Sequence, residues 1–200
     1  MSRKRFDTIA STVGVLLAAL LLAVSGLALW ANSFIDDNVR TQLVAQKVFF
    51  PPVGSEALND PAVKPFLAQY AGQQLQTGEQ ARAYADHFIA VHLRAAGGGL
   101  TYSELSANAR ANPTDTTLPP KVDLAFRGET LRGMLLNAYA FGKMAEVARY
   151  VGFIALGGAG LLLLLSGLGA AHARRTPGNL PVHVPGWHPE NVSVTPDVRS

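Results

Sequence analysis

The sequence predicts an all-α membrane protein. Two transmembrane helices continue outside the membrane as an antiparallel pair, and short extracytoplasmic helices cap them. Three observations predict this: a long charge-free apolar run near each end, helix start and stop signals recurring through the middle, and no alternating strand pattern of any length.

The first run follows a cationic start, Arg3, Lys4 and Arg5, after which residues 8–35 contain no charged side chain. A cleaved secretory signal has an apolar stretch of only ~7–15 residues before a small-residue cleavage site. This run is longer, and "ALWA" spaces its alanines one position too far for such a site. A helix needs about 20 apolar residues to cross a hydrocarbon core of about 30 Å. Residues 9–31 supply them and place Trp30 at the interfacial level. The predicted reading is an uncleaved anchor.

The second run, "VGFIALGGAGLLLLLSGLGAA" over residues 151–171, is charge-free and ends at "HARR". A 200-residue chain would hardly bury two such runs in one soluble core, so both read as spans. The predicted organisation is a cytoplasmic N-terminus over 1–8 and a first span over 9–31. An extracytoplasmic helical domain follows over 32–149, then a second span over 150–171 and a cytoplasmic, disordered, Pro-rich tail over 172–200. From residue 36 to 149 Lys plus Arg number 11 and Asp plus Glu number 11, so the formal +3 sits entirely in the terminal segments. Lys and Arg close to span ends favour the cytoplasmic side, which puts both termini there. Arg40, Lys47, Lys143 and Arg149 on the other side weaken the asymmetry. With no cysteine, the middle domain must hold by packing alone.

In that domain, Ile35, Val39 and Leu43 continue the first helix at helical spacing, up to a stop at "FFPP". Asp60 as a cap and Pro61 at the first helical position predict the start of the next helix. Thr77 with Gln80, and Thr101 with Glu104, are capping boxes, and Gly97 is a stop. The last helix carries a line of alternating three- and four-residue steps: Leu131, Met134, Ala138, Phe141, Ala145, Ala148, Gly152, Ala155, Ala159, Leu162, Ser166 and Gly169. The first carries Ser11, Gly14, Ala18, Leu21, Ser25, Ala28, Asn32, Ile35 and Val39. Small residues are common in any membrane helix, so these lines are a candidate pairing seam, in which close backbone approach would hold the helices in lipid.

The chemistry-bearing motifs are few. No phosphate loop, dinucleotide fingerprint, nucleophile elbow or two-histidine zinc helix occurs, and no basic stripe suits nucleic acid. Spans without charge argue against one copy acting alone as a transporter. Asp86, His87 and His92 carry metal-ligating chemistry, but positions five apart on a regular helix diverge by about 140°, so no metal site or cofactor is expected. Asp36, Asp37 and Arg40 would form a charged collar with Glu146 and Arg149 if the long helices pair. Phe49, Phe50, Tyr70 and Tyr102, near helix ends, are either core residues or partner contacts. Trp187, between Pro185 and Pro189 in the tail, is either a docking point or a membrane-surface residue.

The stretches "VRTQLVAQKVFFPP", "QYAGQQ", "QARAYADHFIAVHL", "TYSEL" and "FRGETLRGMLLNAYAFGKMAEVA" resemble those of a widespread family of uncharacterised actinobacterial membrane proteins with two spans. Members often carry an automatic label as aromatic ring-opening dioxygenases. The resemblance implies membrane location and brings no active site to carry over. Two functions follow as expectations. One is a non-enzymatic accessory or cell-envelope interaction protein, binding a protein partner or a second copy through its outer domain. The alternative is a metal-dependent ring-opening dioxygenase.

Overall fold

A computed structural model describes residues 3–175. The helices are α1 (Arg3–Ala45), α2 (Glu56–Asn59), α3 (Lys64–Leu67) with a 3₁₀ turn Ala68–Tyr70, α4 (Gly78–Tyr84), a π turn Ala85–Ile89, α5 (Ala90–Ala96), α6 (Tyr102–Ala111) and α7 (Leu118–Arg175). Among the described residues there is no β-strand, only an isolated antiparallel bridge between Phe49 and Gln74. The two long apolar helices, α1 and α7, pack against each other, and each is long and apolar enough to cross a membrane. Trp187 and the rest of the tail from residue 176 lie outside the described residues.

By contacts the chain divides into two units. The first joins the early part of α1, through Ser25, to the late part of α7, from Ile154. Here Gly14, Ala18 and Ser25 are buried on α1, and Ala155, Ala159 and Ser166 on α7. Gly169 lies against Ser11, Gly14 against Ser166 and Gly158 against Leu21, so numbers fall on one helix as they rise on the other. The large side chains point away: Leu16, Leu20 and Leu164 are 65%, 60% and 69% exposed. A helix pair with small residues inside and leucines outside matches the packing that lipid favours, where backbones approach closely and leucine meets acyl chains.

The second unit covers residues 26–153. Asn32 Nδ2 donates to the Ala145 carbonyl at 2.8 Å, and Gly152 accommodates Leu29. Ala28 and Ala148 are partly buried, while Gly152 and Ala145 are buried. Above this pair Val39 and Leu43 of α1 join Phe50, Leu58, Val63, Leu67, Leu75, Ala81, Ala85, Ile89 and Leu135 in one apolar core. Burying these side chains at ~25 cal/mol per Å² is the main force holding a disulfide-free domain together.

Local chemistry sets the boundaries of the short elements. α1 ends at Ala45, before "FFPP", because Lys47 turns left-handed (φ 53°) and Gln74 Nε2 caps the Val44 carbonyl at 2.9 Å. The extended segments that follow pair through Phe50 N to Gln73 O and Leu75 N to Val48 O, both 2.9 Å. Asp60 does not cap a helix as the sequence predicts. Its carboxylate accepts from Ala62 N at 2.7 Å in a local turn, and helix α3 begins only at Lys64. The cap in this region belongs to Ser55, which accepts from Leu58 N. Both predicted capping boxes, Thr77 with Gln80 and Thr101 with Glu104, are formed. Gln80, buried, also accepts from Gln76 N and donates to Gln73, so its amide is satisfied in the core.

The outer part of the α7 line needs correction. Leu131, Met134 and Phe141 are exposed, Met134 at 60%; the buried or partly buried positions there include Leu135, Leu136, Ala138, Tyr139 and Gly142. A straight helix drifts ~20° per heptad against a 3.5-residue repeat. The neighbour at this level is also different, because Gly78 of α4 packs on Ala138, Tyr139 and Gly142.

Candidate functional site

The densest polar arrangement outside the apolar runs joins α4 and the π turn to α7. Asp86, at the start of the π turn, accepts from Arg132 Nη2 at 3.0 Å and lies 3.7 Å from Arg82 Nε. Arg132 also reaches Glu129 at 3.3 Å. The hydrogen bond to Asp86 is the main reason the Arg132 guanidinium is held above its ordinary value. One turn further on, Arg82 Nη1 donates to Tyr139 Oη at 2.9 Å and sits over that ring at 4.9 Å. Lys143 then bridges Glu79 at 2.5 Å and Glu146 at 2.7 Å. Those two carboxylates, Glu146 first, raise the Lys143 ammonium well above the usual lysine range, and Lys143 in turn lowers Glu146.

Positive and negative charges alternate along this face, and most are already paired. A catalytic carboxylate needs a perturbed value and a free lone pair facing a substrate, whereas the carboxylates here are turned to neighbouring cations; within this arrangement the buried Arg132 Nε is left without a hydrogen-bond partner among the described residues. The arrangement fastens α4 to α7.

Asp86 is therefore committed to arginines. His87 stacks flat on Phe66, with ring centroids 3.6 Å apart and planes 6° from parallel. His92 Nδ1 lies 2.8 Å from the Phe88 carbonyl, its own helical neighbour. The expected divergence of the two histidines assumed a regular helix, and the π turn Ala85–Ile89 breaks that regularity by taking an extra residue per turn. Even so, no group of three or more metal-ligating side chains forms among the described residues. Among the described residues no ion pair joins Asp36, Asp37 or Arg40 to Glu146 or Arg149.

The four aromatics separate. Phe50, 2% exposed, is core, and so is no contact surface; its ring meets Tyr70 at 5.1 Å and Tyr84 edge-on at 5.4 Å. Tyr84 continues to Phe88 and Phe88 to His92, giving a run of rings from the core to the surface. Burial raises the Tyr84 hydroxyl value. Tyr70 packs against the core, while Phe49 and Tyr102 are exposed. Tyr102 meets Phe126 at 5.6 Å in an open hollow of about 420 Å³ between α6 and the start of α7, also lined by Ala109, Pro119, Val122 and Asp123. Sequence reasoning missed Phe126, because its partner comes from another helix and no periodicity links the two.

A second, larger hollow belongs to the first unit, where Lys4 and Arg174 line a groove of about 670 Å³ along the two apolar helices. No protein-family model, curated protein or solved structure matches this chain.

Proposed function

We propose that this chain is a non-enzymatic integral membrane protein that spans the plasma membrane twice, with both termini in the cytoplasm. Residues 32–149 then stand on the outer side, where they act as an accessory or cell-envelope interaction domain for a protein partner. One observation carries this reading: within the apolar runs of both long helices the buried positions are small, Gly14, Ala18, Ser25, Ala155, Ala159 and Ser166, while most of the large apolar side chains are exposed. In water, so large an apolar surface would drive association; in lipid it is the solvated face. The concentration of Lys and Arg at the chain ends supports the orientation.

The interaction half of the reading rests on Phe49 and on the Tyr102 and Phe126 hollow, which expose aromatic surface on the outer domain. Photo-activated cross-linkers at Phe49 and Tyr102, with Val53 as an exposed control, test it in intact cells. A discrete adduct from either position and none from Val53 is the expected result. Absence of adducts from both, in a chain that remains in carbonate-washed membranes, removes the interaction role and leaves the anchor.

A further inference from the structure

The groove between Lys4 and Arg174 has a graded lining. Lys4 and Arg174 mark one end, Thr8 and Thr12 come a turn or two deeper on α1, and Leu16 and Leu163 lie further along. Lys4 to Leu16 is about twelve residues of continuous helix α1, about 18 Å at the helical rise. That distance carries the lining from cationic to hydroxyl-bearing to apolar. An anionic glycerophospholipid has the same order: phosphate, then ester oxygens, then acyl chain.

The two threonines do not compete for the phosphate. Their hydroxyl protons go to the carbonyls of Lys4 and Thr8, both at 2.8 Å, so the attraction for an anion comes from Lys4 and Arg174. The groove lining contains no carboxylate. Asp7, one residue from Thr8, lines a neighbouring hollow beside Gly14 that meets the groove at Ser11 and Ser166, and it lies 4.0 Å from His172. Basic pockets between membrane helices on the cytoplasmic side are suited to anionic head groups.

We infer that this groove is a binding site for one anionic phospholipid, with its phosphate between Lys4 and Arg174 and an acyl chain along Leu16 and Leu163. The site rests on the two-span reading. It assigns the basic chain ends a specific ligand in addition to their part in orientation.

Lipid retention is measured by native mass spectrometry of the full chain released from nanodiscs of equal phosphatidylglycerol and phosphatidylcholine. The unaltered chain retains phosphatidylglycerol preferentially. The double variant Lys4→Gln with Arg174→Gln lowers that preference about tenfold, whereas Arg5→Gln with Arg175→Gln, which removes the same charge beside the groove, lowers it less than about twofold. A β-carbon on Gly167, another lining residue, meets nothing within 4 Å, so Gly167→Leu fills the groove without displacing a helix and reduces retention of the lipid with all charges intact. Equal loss in the two double variants, or equal retention of both lipids by the unaltered chain, overturns the site. A chain that does not co-elute with the discs overturns the spanning reading itself, and the groove with it.

Discussion

Gly14 and Ser166 meet so closely that a β-carbon built on Gly14 would lie 3.5 Å from the β-carbon of Ser166. That separation is within the ~3.5–4.5 Å range of disulfide-bonded cysteines. With no native cysteine in the chain, Gly14→Cys with Ser166→Cys is expected to form an intramolecular cross-link under mild oxidation, seen as a mobility shift that reductant reverses. Leu16→Cys with Leu164→Cys, two outward positions, serves as the control and is expected to stay uncoupled within one chain. Coupling of the control pair alone would place the wrong faces together.

Gly78 gives a prediction whose sign is informative. Replacing glycine by alanine inside a helix ordinarily stabilises it by ~1 kcal/mol. Here the added β-carbon would stand 3.0 Å from the Ala138 carbonyl oxygen and 3.1 Å from Tyr139 Cα, both backbone atoms that cannot rotate away. Gly78→Ala is expected to destabilise the outer domain by about 1–3 kcal/mol, read from chemical denaturation followed by tyrosine fluorescence. A stabilised variant would mean that α4 does not rest on α7 at this point.

The two carboxylates that hold Arg132 are not equivalent. Asp86 is the less exposed partner and reaches across from another element, while Glu129 is nearly half exposed and lies on the same helix three residues away. Asp86→Ala is expected to cost about 2 kcal/mol, as for a partly buried charged hydrogen bond. Glu129→Ala should cost no more than ~0.5 kcal/mol, the scale of an exposed pair. Equal effects in the same denaturation assay would show that the cross-element bond does not fasten the domain.

Acid should loosen α6 from its first turn. The backbone N–H of Thr101, and then its hydroxyl, donate to Glu104 and lower its carboxyl below the ordinary value of 4.5. A lowered folded value means the cap contributes above the unfolded value and is lost as pH falls through the folded one. Amide exchange at Ser103 to Leu105, corrected for intrinsic rate, is expected to be flat near neutrality and to accelerate only at a pH below the ordinary carboxyl value. Glu104→Gln, which can still accept from Thr101, should keep the cap and lose the acid dependence.

Much of the fold was legible because its signals are local or strictly periodic. The capping boxes at Thr77 and Thr101 depend on four consecutive residues, and the small residues at Gly14, Ala18, Ala159 and Ser166 repeat at steps that any helix pair must respect. What was hidden depends on partners distant in sequence. The line through Leu131, Met134 and Phe141 kept its period while the neighbouring element changed from α1 to α4, so its outer residues turned outward. Asp60 was as good a cap by type as Ser55, and only the turn through Ala62 decided between them. The π turn at Ala85–Ile89 has no compositional mark. The pairing of Tyr102 with Phe126, and the groove from Lys4 to Leu163, each join segments that only the tertiary fold brings together.

Because the chain has no cysteine, single replacements can report the surroundings of each segment in living cells. Labelling by a membrane-impermeant maleimide at Val53→Cys, Arg5→Cys and Leu164→Cys tests the two-span arrangement most directly. The expected result is labelling of Val53→Cys in intact cells, labelling of Arg5→Cys only after permeabilisation, and protection of Leu164→Cys until detergent is added. Ready labelling of Leu164→Cys in intact membranes, or labelling of Arg5→Cys from outside with Val53→Cys protected, would contradict it.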